Sequence, residues 1–223
     1  MSTLGNYLLG HYHGDNGPFR TNYTNYEVTL EADIKLIEIK DRKFNLIDTP
    51  GFFNIDNKST HDKLAEIINH CTYGIQSIIF VVKHAFGDEF CNHIRVIQDF
   101  LGEKSFDNMI IAFTYVNKAQ AMNKNIMRKV FNQNTIKFLD EKFNNRWIAS
   151  PHPDFSNVTD FLPNNIKEAE DFIYSFTSAY TTKMFGEKKG RERREKDAIN
   201  YPAILLIGDT GKVMNRGGEE NFL

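Results

Sequence analysis

Apolar runs alternate with amphipathic stretches along most of the chain. DIKLIEI (33–39) and KFNLID (43–48) are strand-like runs separated by the polar pair Asp41-Arg42, and this predicts a β-hairpin. SIIFVVK (77–83) and NMIIAFT (108–114) are continuous apolar runs, the pattern of strands buried on both faces. A shorter strand is expected at RWIAS (146–150). Helical spacing fills the gaps. Leu64, Ile67, Ile68 and Cys71 lie on one face behind a Ser59/Asp62 pair that looks like a capping box. Phe90, Ile94, Ile97 and Leu101 mark another face, closed by Gly102. The stretch 119–143 predicts a long helix, and Ile166, Ala169, Ile173, Phe176 and Tyr180 form a helical stripe after Pro163. Strand and helix in alternation predict an α/β fold with a mostly parallel sheet.

The C-terminal part departs from this order. GEKKGRERREKD (186–197) is a charged run with the composition of a linker, and YPAILLIGDTGK (201–212) is a buried-type strand that enters a glycine-bearing loop. The expected division is a domain over 1–185, a linker over 186–200, and a separate strand and loop over 201–223.

Composition narrows the function classes. The 223 residues are 41% hydrophobic with a net charge of −2, so a sizeable core is available and a nucleic-acid partner has no electrostatic basis. Cys71 and Cys91 make no disulfide framework and read as thiols in a reducing compartment. No apolar run reaches the roughly 18 residues of a membrane span, and MSTLGNYLLG lacks the features of a secretory leader. A cytoplasmic protein is the expectation.

Candidate chemistry lies at the strand ends. FNLIDTPGFF places Asp48, Thr49, Pro50 and Gly51 at the mouth of a strand. One reading is a tight turn. The other is a phosphate sensor, in which Asp48 holds Mg²⁺ through water and Gly51 offers a backbone N–H to a γ-phosphate. Such a sensor needs a phosphate-binding loop, G-x-x-x-x-G-K-[ST], whose backbone N–H groups, lysine and hydroxyl hold phosphates and Mg²⁺. From Gly208 the chain starts that loop with Asp209, Thr210, Gly211 and Lys212, then has Val213, Met214 and Asn215 where Gly, Lys and Ser belong. The N-terminus reads as its other half: Met1 stands at the lysine position, followed by Ser2 as the Mg²⁺ hydroxyl and by Thr3. The two ends together almost compose one loop. Strand 203–207 is therefore a candidate to fill the central first-strand slot of the sheet, beside Ser2. NKAQ, from Asn117 to Gln120, follows a buried strand in the place of a guanine-reading N-K-x-D motif, with Gln120 where Asp is expected. A neutral amide there implies a weaker preference for guanine. The alternative is a polar helix start.

In combination these segments resemble the AIG-type, GIMAP-like GTPases among the P-loop GTP-binding proteins. The resemblance covers roughly 2–185: VTLEADI looks like the first switch, LIDTPGFFN like the third motif, and IIFVVKHAFGDEFCNHIRVIQDFLGEK like the stretch that sets this family apart. It implies a three-layer P-loop G domain, mostly parallel with one antiparallel edge strand. It implies GTP/GDP and Mg²⁺ as ligands, with Ser2, Thr29 and Asp48 at the metal and Ser2, Thr3, Gly51, Gly208, Gly211 and Lys212 at the phosphates. Asn117, Lys118, Gln120 and Ser150 fall at the base. It further implies slow hydrolysis, self-association through the G domain as a homodimer or oligomer, and room for peripheral membrane association. Phe52 follows Gly51 where many small GTPases have a water-orienting glutamine. Hydrolysis is left open because the phosphate-loop lysine is replaced. The rival readings are a nucleotide-free interaction module and a truncated piece of a tandem GTPase.

Overall fold

The computed structural model describes residues 1–12, 17–21, 32–52, 57–83, 88–151, 162–181, 183–185 and 200–208. Within them six strands form one sheet: β1 (Asp33–Ile39), β2 (Arg42–Asp48), β3 (Ile75–Lys83), β4 (Met109–Val116), β5 (Trp147–Pro151) and β6 (Ala203–Gly208). The helices are α1 (Ser2–Leu8), α2 (Asn57–His70), α3 (Asp88–Leu101), α4 (Lys118–Met122), α5 (Lys124–Arg128), α6 (Gln133–Glu141) and α7 (Leu162–Ser175), with a 3-10 turn at Glu103–Asn108.

The sheet order is β1-β2-β6-β3-β4-β5. Among the described strand pairs of the sheet only β1–β2 is antiparallel, and β6 runs parallel to both of its neighbours. The last strand in the sequence thus occupies the middle of the sheet. Its side chains explain the position: Ala203, Ile204, Leu205, Leu206 and Ile207 are all buried, as a strand covered by helices on both faces requires. Register places Asp48 beside Leu206, Leu206 beside Ile79, and Gly208 beside Val81. Backbone bonds extend the ladder at its lower end, where Asn45 N–H donates to Pro202 O at 3.0 Å and Ala203 N–H to Gly74 O at 2.9 Å. Helices cover the sheet in two groups. α1 touches α7 and β2, whereas α3 packs on α6, and His61 of α2 lies 5.0 Å from the Phe100 ring of α3.

Four local expectations are corrected. The hairpin turns at Lys40 and Asp41, and Arg42 already belongs to β2. Lys40 takes the left-handed conformation there, with φ 57°, and its ammonium lies 4.3 Å over the Tyr174 ring while Tyr174 OH donates to Asp41. The single helix expected over 119–143 is three helices, because Asn123 and Asn132 each cap a new one by accepting from Asn125 N–H and Thr135 N–H. α2 begins at Asn57, so Ser59 is its third residue and not its cap. The stripe after Pro163 ends with α7 at Ser175: Tyr180 instead bridges Ile75 in antiparallel fashion and donates its hydroxyl to Leu101 O at 2.6 Å.

Candidate functional site

The five parallel strands end on one edge of the sheet, where ligands bind in open α/β folds. Asp48 closes β2 and is 2% exposed. Ser2 opens α1, and its hydroxyl donates to Asp48 Oδ2 at 2.5 Å. Two residues 46 apart in sequence therefore meet at one point, held by packing of α1 on β2. Thr3 follows in the same first turn. Behind them Asn6 is fully buried and ties the chain around Phe19 to α1: its amide donates to Phe19 O at 2.8 Å and accepts from Phe19 N–H at 2.9 Å.

The C-terminal end of β6 arrives at the same place. Thr49 Oγ1 donates to Leu206 O at 2.7 Å, and Phe52 N–H donates to Gly208 O at 2.9 Å. The DTPG segment is thus stitched onto β6 by a side chain and by the backbone, with buried Gly51 between the two stitches. Gly208 must be glycine for steric reasons, since a Cβ there would lie 2.3 Å from Val81 O. Phe52 is 1% exposed and turns into the core, stacked on His61 at 4.5 Å and edge-on to Phe100 at 5.2 Å. Its side chain is unavailable for work at the sheet edge. Ser2 Oγ and Asp48 Oδ2 are hard oxygen donors side by side, a set that fits Mg²⁺, which takes one or two protein oxygens and keeps its remaining waters.

The second cluster lies beyond β4 and β5. Asn117 caps α4 in a reciprocal box: its Oδ1 accepts from Gln120 N–H at 2.9 Å, and Gln120 Oε1 accepts from Asn117 N–H at 2.8 Å. Ser150 sits on β5 opposite Thr114 and is 3% exposed. Asn165 of α7 joins the two pieces by donating to Ala121 O at 3.1 Å and Ala149 O at 2.8 Å. Lys124 reinforces the joint, bonded to Trp147 O at 2.6 Å and to Glu168 at 2.5 Å.

The structure therefore brings Ser2, Thr3, Asp48, Gly51 and Gly208 together, and it sets Asn117, Lys118, Gln120 and Ser150 on the same edge of the sheet. Thr29, Gly211 and Lys212 lie outside the described residues. Sequence reading named Thr49 in DTPG without giving it a role, and it missed Asn165, for which no local pattern exists. A model of the AIG1 family matches residues 1–159 of the chain. Comparison with curated proteins finds no match.

Proposed function

Because the chain belongs to the AIG1 family of AIG-type GTPases and carries its GTP-binding G domain, we propose that it binds GTP and GDP with Mg²⁺ and hydrolyses GTP slowly. The carrying observation is the meeting of Ser2, Asp48 and the end of β6 on one sheet edge with the Asn117–Gln120 cap.

In this reading Ser2 and Asp48 hold the cation, Asp48 through water, with Thr29 as a further ligand. Mg²⁺, when bound, supplies charge neutralisation at the β- and γ-phosphates. The backbone at Gly51, at Gly208–Gly211 and around Thr3 supplies phosphate donors, with Lys212 assigned as a phosphate-binding cation. Asn117, Gln120 and Ser150 face the base, and the Lys118 stem packs on it. Slow turnover is supported by Phe52, which occupies the position of a water-orienting residue and buries its side chain in the core. Water is then oriented by a partner, and a second copy meeting the first through the G domain is the partner this reading favours. A cytoplasmic place, with peripheral contact to membranes, completes it; no described helix is long and apolar enough to cross one.

The test is titration with a fluorescent GTP analogue, with and without Mg²⁺, competed with GDP and ATP, on the chain and on Asp48→Asn. Expected is Mg²⁺-dependent binding displaced by GDP and not by ATP. Asp48→Asn, which keeps an acceptor for Ser2, is expected to weaken the Mg²⁺-dependent part on the order of tenfold or more. A cooperatively melting chain that binds no nucleotide overturns the proposal and leaves an interaction module.

A further inference from the structure

The cap at the start of α4 fixes which atoms of the base motif are left to meet a ligand. Both side-chain carbonyls point inward, Asn117 Oδ1 to Gln120 N–H and Gln120 Oε1 to Asn117 N–H. Neither amide can be flipped without setting an NH₂ against a backbone N–H. The nitrogens Asn117 Nδ2 and Gln120 Nε2 have no hydrogen-bond partner among the described residues. Asn117 is exposed and Gln120 half-buried, so a ligand can reach both. Asn117 thus presents an NH₂ donor, and at position 120 a second NH₂ donor stands beside a half-used carbonyl, where a carboxylate would present only acceptors.

From this donor edge we infer that the site selects purine nucleotides by an acceptor at C2, a 2-oxo group, and disfavours the 2-amino group of guanine. The inference rests on the nucleotide-binding reading given above. Asn117 Nδ2 donates to O6 or N7, which guanine, hypoxanthine and xanthine share. At Gln120 the three bases part. Oε1 has one lone pair in use and one left for the ring N1–H. Nε2 then faces the substituent at C2. A 2-oxo group accepts from it, a hydrogen is indifferent, and a 2-amino group sets donor against donor. Leaving such groups unpaired against the bound base lowers affinity on the order of tenfold, and a made hydrogen bond adds a comparable factor. The effect belongs to the two side-chain amides and not to the helix end, because α4 has only five residues.

Isothermal titration of the full chain with XTP, ITP and GTP in Mg²⁺ tests this, repeated on Gln120→Asp. Expected for the natural chain is XTP tightest, ITP between and GTP weakest, with XTP and GTP separated at least tenfold. Gln120→Asp replaces the donor by a second acceptor and is expected to invert the order, with GTP tightest. An acid in the first helical turn is compatible with the cap, so the variant should fold, and its cooperative melting verifies this. GTP binding tighter than ITP and XTP to the natural chain overturns the inference and leaves nucleotide binding standing. An order unchanged by Gln120→Asp also overturns it, since the readout would then lie elsewhere. Absence of binding for all three nucleotides, to both well-folded proteins, overturns it together with the reading on which it rests.

Discussion

Removing β6 should cost the whole fold and not merely its C-terminal end. Ile204, Leu205, Leu206 and Ile207 are each no more than 1% exposed. Full burial of one such side chain stabilises by about 1.5–3 kcal/mol, so the four contribute about 6–12 kcal/mol. That is comparable to the about 5–15 kcal/mol by which a typical domain is stable. Deletion would also open the ladder on β2 and β3, whose inner edges both pair with β6. A chain ending at residue 199 is therefore expected to lack a cooperative thermal transition by circular dichroism. The point substitution Leu205→Ala grades the same argument. It should cost about 2–5 kcal/mol in urea unfolding and lower Tm by roughly 4–20 °C. Leu36→Ala, on edge strand β1 where Leu36 is 55% exposed, serves as the control and should stay within about 0.5 kcal/mol. Cooperative melting of the shortened chain at the original Tm would refute the central placement of β6. So would a Leu205→Ala cost no larger than that of Leu36→Ala.

Three further outcomes follow from local chemistry. Gly208→Ala should lower Tm and weaken nucleotide binding together, because the added Cβ meets the Val81 backbone at 2.3 Å; an unaltered melt would contradict the close approach. Burial pushes the Cys71 thiol up to about 12, so at pH 8 iodoacetamide should leave it unmodified in the folded chain and alkylate it in urea, as mass spectrometry can establish. Burial, and then the Asp171 carboxylate, raise the Glu170 pKa against the pull of Lys40. A raised folded pKa means that the folded chain holds this proton more tightly, so its contribution is present below the ordinary carboxylate pKa and is lost as pH rises through the folded value. Glu170→Gln should therefore raise Tm at neutral pH and change it little in acid; the opposite pH trend would show the sign to be wrong.

Much of this architecture was legible along the chain. Continuous apolar runs announced β3, β4 and β6 because a strand covered on both faces has no polar side to display. Gly102 marked the end of α3, and its φ of 92° is the reason. The segments that failed did so where a short polar side chain competes with the helix. Asn123 and Asn132 interrupt what periodicity alone reads as continuous, since capping depends on backbone geometry that apolar spacing does not encode. The end of α7 was hidden because Phe176 and Tyr180 are buried without being helical.

The candidate site divides along the same line. Local sequence determined its parts: a strand that ends in Asp-Thr-Pro-Gly, a glycine at the end of an apolar run, and an Asn-Lys-Ala-Gln helix start. Their composition states which chemistry is on offer, because donors, acceptors and charges belong to residue types. Only the tertiary structure decided that Ser2 meets Asp48, that Leu206 and Gly208 are stitched to Thr49 and Phe52, and that Gln120 turns its carbonyl inward. Those are contacts between segments far apart in sequence, or choices of side-chain orientation. They are fixed by which strand fills the middle of the sheet and by which backbone N–H must be satisfied, and no short window of sequence carries that information.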